Sequence, residues 1–262
     1  MPALSGKTGH IYTNSLVVED CNDTFNEQAI SGVTLSTTTG KDGNAARATT
    51  VGVGVSILMS EAISVDLSAY KTILAWIRSG VNTSAGDLQL LLDDTANCAS
   101  PLETLNLPAL LANTWTRVLL KLSNPAALTA VISIGLKQAV DLADTTFDID
   151  DVRALKSVAG MRQWTLNYKT GTEEVTDFDS AGKDEHLSTI TGWSGTFEGL
   201  KKDVPLTIGQ QVWLALAEST TAGQAWNGQA IIADVEPTVD TKGLVLYKYS
   251  FIGTGELQVA LL

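Results

Sequence analysis

Apolar and polar residues alternate along most of this chain in short runs, separated by clusters of Gly, Asn, Asp and Thr. Ile73-Leu74-Ala75-Trp76-Ile77, Leu88 to Leu92, Trp115 to Leu122, Val131 to Leu136 and Phe147 to Val152 read as strands at sandwich-like spacing. One segment departs from this pattern. Between Leu206 and Glu218, Ile208, Val212 and Leu216 fall four residues apart with Trp213 and Leu214 beside them, which predicts an amphipathic helix. Trp193, Gly195 and Phe197 alternate with Ser194, Thr196 and Glu198, the signature of a sandwich core strand. The polar stretch from Thr170 to Ile190 is longer than an ordinary hairpin connection and predicts a loop with a task of its own. The pattern therefore predicts an all-β protein with one helix.

Composition narrows the class without changing the fold. At 262 residues, with 44% hydrophobic and 18% charged residues, the chain can bury two cores and shows no sign of disorder. No apolar run reaches the roughly 18 residues of a spanning helix, so no membrane partner is expected. Met1 to Thr8 lacks a basic segment followed by an apolar one, so no secretion signal is expected. The net charge of -12 argues against binding by phosphate neutralisation, which needs clustered Lys and Arg. Cys21 and Cys98 are far apart in sequence; unpaired thiols in a reducing compartment are expected, with a disulfide across two strands as the alternative.

The residues for catalysis are sparse. His10 and His186 have no Gly-x-Ser-x-Gly elbow, Ser5-Gly6-Lys7-Thr8 lacks the leading glycine of a phosphate loop, and Gly52-Val53-Gly54 lacks a third glycine. A glycoside hydrolase would need only two carboxylates at a set separation, and remains a third reading behind those given below. The expectation is that the chain is not an enzyme. Carboxylates are the one plentiful polar group, among them Glu19, Asp20, Asp23, Asp42, Asp93, Asp94, Asp148, Asp150 and Asp151. Hard oxygen donors in such number suit calcium, and a solvated acidic rim is the plainer alternative.

Four segments taken in order carry a first resemblance. They are Val17-Val18-Glu19-Asp20-Cys21-Asn22-Asp23, Gly40-Lys41-Asp42-Gly43-Asn44-Ala45-Ala46-Arg47-Ala48-Thr49, Asn113-Thr114-Trp115-Thr116-Arg117-Val118 and Phe147-Asp148-Ile149-Asp150-Asp151-Val152. The series resembles the jelly-roll carbohydrate-binding modules. That resemblance implies a structural calcium, transferred here onto Glu19, Asp42 and Asp150, and raises a glycan as ligand. Trp76 and Trp115 lie in alternating apolar strands and are expected to be buried, leaving Phe25, Tyr70 and Phe147 as candidate sugar platforms.

A second resemblance begins at Val158. Val158-Ala159-Gly160-Met161-Arg162-Gln163-Trp164-Thr165-Leu166, Glu174-Val175-Thr176-Asp177-Phe178-Asp179-Ser180 and Thr191-Gly192-Trp193-Ser194-Gly195-Thr196-Phe197-Glu198-Gly199 resemble the major tail (tube) proteins of long-tailed bacteriophages. In that family a Gly-Lys-x-Gly-x-Ile-Tyr strand directly precedes the Ala-Gly-x-x-x-Trp strand. Here Gly6-Lys7-Thr8-Gly9-His10-Ile11-Tyr12 stands far upstream. The expected organisation is thus a tail-tube-like domain of residues 1–16 and 159–262 with one flanking helix, interrupted by a jelly-roll domain of residues 17–158. The resemblance implies a virion protein assembled in the host cytoplasm, forming hexameric rings that stack into a tube beside other tail proteins, with DNA passing through unbound. Thr176, Asp177, Phe178, Asp179, Trp193 and Phe197 are its candidate assembly residues. The alternative reading is a tail-tip or virion-surface adhesin whose jelly roll binds host glycans.

Overall fold

The computed structural model describes residues 10–174, 186–202, 205–219, 224–239 and 243–261. The strands are β1 (His10–Glu19), β2 (Val33–Thr39), β3 (Asn44–Thr50), β4 (Ser56–Val65), β5 (Thr72–Ser79), β6 (Leu88–Asp93), β7 (Glu103–Asn106) and β8 (Thr116–Lys121), followed by β9 (Val131–Gln138), β10 (Thr146–Ser157), β11 (Met161–Glu174), β12 (His186–Leu200), β13 (Gln211–Ala217), β14 (Gln224–Val239), β15 (Val245–Gly253) and β16 (Gln258–Leu261). Among the described residues, the only helical elements are two 3-10 turns, Ala96–Cys98 and Pro125–Ala127. The fold is all-β.

The helix expected from Leu206 to Glu218 is not formed; Gln211–Ala217 is strand β13. The apolar positions there satisfy two periods at once. Val212, Leu214 and Leu216 also alternate, and all three are buried, whereas Ile208, which the helical pattern requires, is 66% exposed. Gly209 adopts a left-handed φ of 80° just before the strand and turns the chain into it. Pairing with β14 supplies the hydrogen bonds that a lone helix would have had to form for itself.

Contacts divide the chain into two units. One comprises Met1–Ser157, Ala217–Ala225 and Val259–Leu262, and the other Val158–Leu216 and Trp226–Gln258. The boundary expected after residue 16 falls within β1, which pairs with β10 from Tyr12↔Ser157 to Glu19↔Val152.

In the first unit two sheets enclose one core. β10 pairs with β1, β3 and β5, β3 with β2, and β5 with β8, to which β16 adds in parallel at Ala260↔Arg117. The second sheet has the order β4-β9-β6-β7. Leu58, Leu88, Leu90, Leu92, Ile134 and Leu136 from that sheet meet Ile73, Ala75, Ile77, Phe147 and Ile149 from the first in one apolar cluster. Alternation delivers each of these side chains to the same layer.

In the second unit the sheet order is β11-β12-β15-β14-β13. β11 and β12 form a long antiparallel ribbon whose register runs from Met161↔Gly199 to Glu174↔His186. Strand pairing thus extends into the segment expected to be loop. Thr170 and Thr191 pair hydroxyl to hydroxyl at 3.1 Å, and threonine is a good β-former.

Candidate functional site

Two places carry the residues singled out by sequence: the carboxylate end of β10 and the β12 strand. In β10, Phe147 and Ile149 point into the core, so Asp148 and Asp150 occupy the opposite face. Asp151 then takes a left-handed φ of 46°, and the register with β5 slips between Asp150 and Arg153. This bulge moves Val152 and Ala154 onto the core face and leaves Asp151 to seek a cation.

Each of the three aspartates is held differently. Asp148, 1% exposed, accepts from Arg47 Nε at 2.6 Å and Nη2 at 3.1 Å and from Arg78 Nε at 2.7 Å. Asp151 accepts from Arg117 Nη2 at 2.9 Å and from Arg153 Nε. The Arg117 guanidinium lies 5.1 Å from the Trp76 ring centroid, and Lys41 Nζ approaches the same ring at 5.2 Å. Asp150 bonds to the backbone instead: its Oδ2 accepts the N–H groups of Lys41 and Asp42, and its buried Oδ1 has no hydrogen-bond partner among the described residues. Gly40 is required beneath it, because a Cβ there would collide with Asp150 Oδ2. Burial raises the Asp150 pKa despite those two N–H donors.

Of the three residues expected to hold calcium, Glu19 ends β1, where its Oε1 accepts from Cys21 N–H at 3.0 Å. Burial raises its pKa, and the charges of Asp20, Asp23 and Glu61 add to the effect. Asp42 is exposed and lies 3.6 Å from Arg153 Nη2. Among the described residues no group of three or more His, Cys, Asp or Glu is arranged around a common metal position. Both cysteines are free and buried; burial pushes the Cys98 thiol up to about 11 and the Cys21 thiol well above its ordinary value. Neither thiol is therefore poised as a nucleophile.

Thr176, Asp177, Phe178 and Asp179 lie outside the described residues. Trp193 and Phe197 are buried within an aromatic cluster: Trp193 lies 5.8 Å from Phe251 and Phe197 4.9 Å from Tyr249, centroid to centroid. Trp193 Nε1 donates to Gly255 O at 2.8 Å. The glycines around it are spaces left for close neighbours. A Cβ at Gly195 would strike Thr165 O, one at Gly199 would strike Gly160 O, and those at Gly228 and Gly253 would enter the Trp193 ring. The Gly-Trp-Ser-Gly-x-Phe-Glu-Gly segment is thus the packing unit between β11, β12 and β15.

Among the expected sugar platforms, Phe25 and Phe147 are buried. Trp76 is buried, as its strand pattern predicts, but Trp115 is half-buried and has Arg78 stacked 4.6 Å from its centroid. The arginines were not singled out in the sequence, since their aspartate partners lie 70 to 101 residues away in the Arg78 and Arg47 pairs. Their one local signal is an Arg in place of a hydrophobic residue within an alternating strand.

No family model matches the chain, and no curated protein is similar to it at a significant level. Among solved structures, a chain in the tail of an empty gene transfer agent particle, refined helically with C6 symmetry, has 18% identity and a TM-score of 0.34, covering 40% of this chain and 84% of that one. A chain in the virion of a native gene transfer agent particle has 18% identity and a TM-score of 0.35, covering 40% of this chain and 88% of that one.

Proposed function

We propose that this chain is a structural subunit of a phage-like tail, a tube protein whose second unit assembles with its own copies into stacked rings. The observation that carries the reading is strand β11. It stands at the edge of its sheet, runs from Met161 to Glu174, and among the described residues pairs only with β12. A long edge with a row of open N–H and C=O groups is a template for another strand, and a protein that leaves one exposed normally covers it on assembly. Tyr168, 53% exposed on that strand, gives the edge an apolar handle. Trp193 and Phe197 serve this assembly by fixing the β12 strand against which β11 is laid. Negative-stain microscopy of the purified protein tests the reading: rings or tubes support it, and a persistent monomer at high concentration rejects it.

The adhesin reading has one observation in its favour, the half-buried Trp115 with its stacked Arg78 on the outer face of the β10 sheet. Glycan-array binding lost in Trp115→Ala would promote it over the tube.

Calcium at the end of β10 belongs to the same proposal. The partnerless Asp150 Oδ1 is the donor that supports it, but Asp42 would have to exchange Arg153 for the ion. A bound ion would act only as a cross-link between β1, the 40–43 turn and β10, stabilising the folded state by mass action. Melting temperature is expected to fall in chelator and recover with calcium; an unchanged value in both would exclude the site.

A further inference from the structure

Of the nine described cations of the first unit, six are engaged. Arg47, Arg78, Arg117 and Arg153 pair with aspartates, and Lys41 and Lys156 lie over the rings of Trp76 and Tyr70. Lys71, Lys121 and Lys137 differ: among the described residues none of them forms an ion pair or a side-chain hydrogen bond, and Lys71 and Lys121 share one place.

Both line one cleft of about 320 Å³, together with His10, Tyr12, Ser123 and Ser157, and among the described residues no carboxylate is in the lining. Strand register builds this cleft. Tyr12 on β1 is opposite Ser157 on β10, Lys71 N–H donates to Leu155 O at 2.9 Å, Leu122 N–H donates to Lys71 O at 3.0 Å, and Thr72 faces Lys121. The ends of four neighbouring strands are thereby drawn into one row. Glu103, the carboxylate behind Ser123, is buried and already accepts from Ser123 N and Oγ and from Asn124 N, so its charge is directed into the loop.

Two ammonium groups that line one cleft raise its positive potential unless a counter-charge lies between them. In a protein of net charge -12, a concave site lined by two lysines without ion pairs is a local focus of positive potential. The floor is the phenol of Tyr12, 2% exposed, whose pKa burial pushes up to about 12, so it stays neutral and adds no opposing charge.

We propose that this cleft binds a phosphate group, with Lys71 and Lys121 supplying the charge and the Ser157 hydroxyl a hydrogen bond. Lysine acts as a point charge toward phosphate, and two of them with one hydroxyl match a tetrahedral dianion better than a planar carboxylate. The group can come from a small phosphate compound or from a nucleic acid backbone; the chemistry is shared.

The test is calorimetric titration of the full-length protein with inorganic phosphate at low ionic strength, repeated with a short single-stranded DNA present. Saturable binding is expected, weakening as salt is added. The double variant Lys71→Gln/Lys121→Gln should bind about tenfold more weakly or worse, because it loses both charge-assisted contacts. Both lysines are exposed, so the fold should survive, and a melting curve checks that. Lys137→Gln, on β9 of the other sheet, removes one charge elsewhere and should leave the affinity unchanged. Competition by the oligonucleotide assigns the site to nucleic acid, and its failure to compete assigns it to a small phosphate; both outcomes uphold the cleft. Absence of saturable binding overturns the proposal, as would equal weakening by Lys137→Gln, which would mark diffuse attraction with no site.

Discussion

The two units hold a sheet together by opposite means. In the first, an aliphatic core fills the space between two sheets, and the outer face of β10 is fastened by aspartates and arginines that are largely removed from water. In the second, the buried face includes an aromatic cluster seated on glycines, and the one ion pair among its described residues, Lys248 with Glu236, is exposed. Charge pairs out of water are directional and tolerate no missing partner. Aromatic rings against glycine backbone depend on shape, and tolerate no added atom. The first unit should therefore fail when something is removed, and the second when something is inserted.

The largest effect is expected from removal in the first unit. Arg117→Ala leaves Asp151 buried with Arg153 as its remaining cation and removes the guanidinium that lies over Trp76. Breaking a buried pair from one side costs about 3 to 5 kcal/mol. Chemical denaturation measures this, and a loss below about 1 kcal/mol would mean that water already reaches the pair.

Insertion in the second unit comes next. Gly195→Ala sets a methyl group against Thr165 O and should cost about 1 to 3 kcal/mol while disturbing the β11–β12 register. Gly192→Ala, in the same motif, meets nothing within 4 Å and should stay within about 0.5 kcal/mol of the parent. Equal effects at the two positions would remove close packing as the reason for the motif.

The smallest effect concerns acid. Folding raises the Glu19 pKa, chiefly by burial, so the folded state holds that proton more firmly than the unfolded chain does. Ionised Glu19 then detracts from stability above its raised pKa, and the deficit disappears as pH falls below the ordinary carboxylate value of about 4.3. Glu19→Gln keeps the acceptor for Cys21 N–H and should be more stable than the parent at pH 7 but equal to it near pH 3. A gain of the same size at both pH values would show that its charge is not the cause.

How much of this was legible in advance depends on the range of the interaction. The strands from Ile73 to Val152 announce themselves because alternation is a property of neighbours in sequence, and the five runs correspond to β5, β6, β8, β9 and β10. The β13 error has the same root. Over seven residues, periods of 2 and 3.6 select overlapping sets, and only the partner strand β14 decided between them. Trp193 and Phe197 could be placed on one strand face from their spacing. That Gly195 is excluded from bearing a side chain by the β11 backbone could not be read from the chain.

The sequence alone determined the β class, the alternating faces of the strands and the acidic surplus, because each is set by composition or by near neighbours. Only the tertiary structure decided which aspartate meets which arginine, where the bulge at Asp151 re-aims β10, and that Lys71 and Lys121 share a cleft. Those facts depend on strand register, and register is settled by the simultaneous burial of many residues distant in sequence, with no local pattern to announce it.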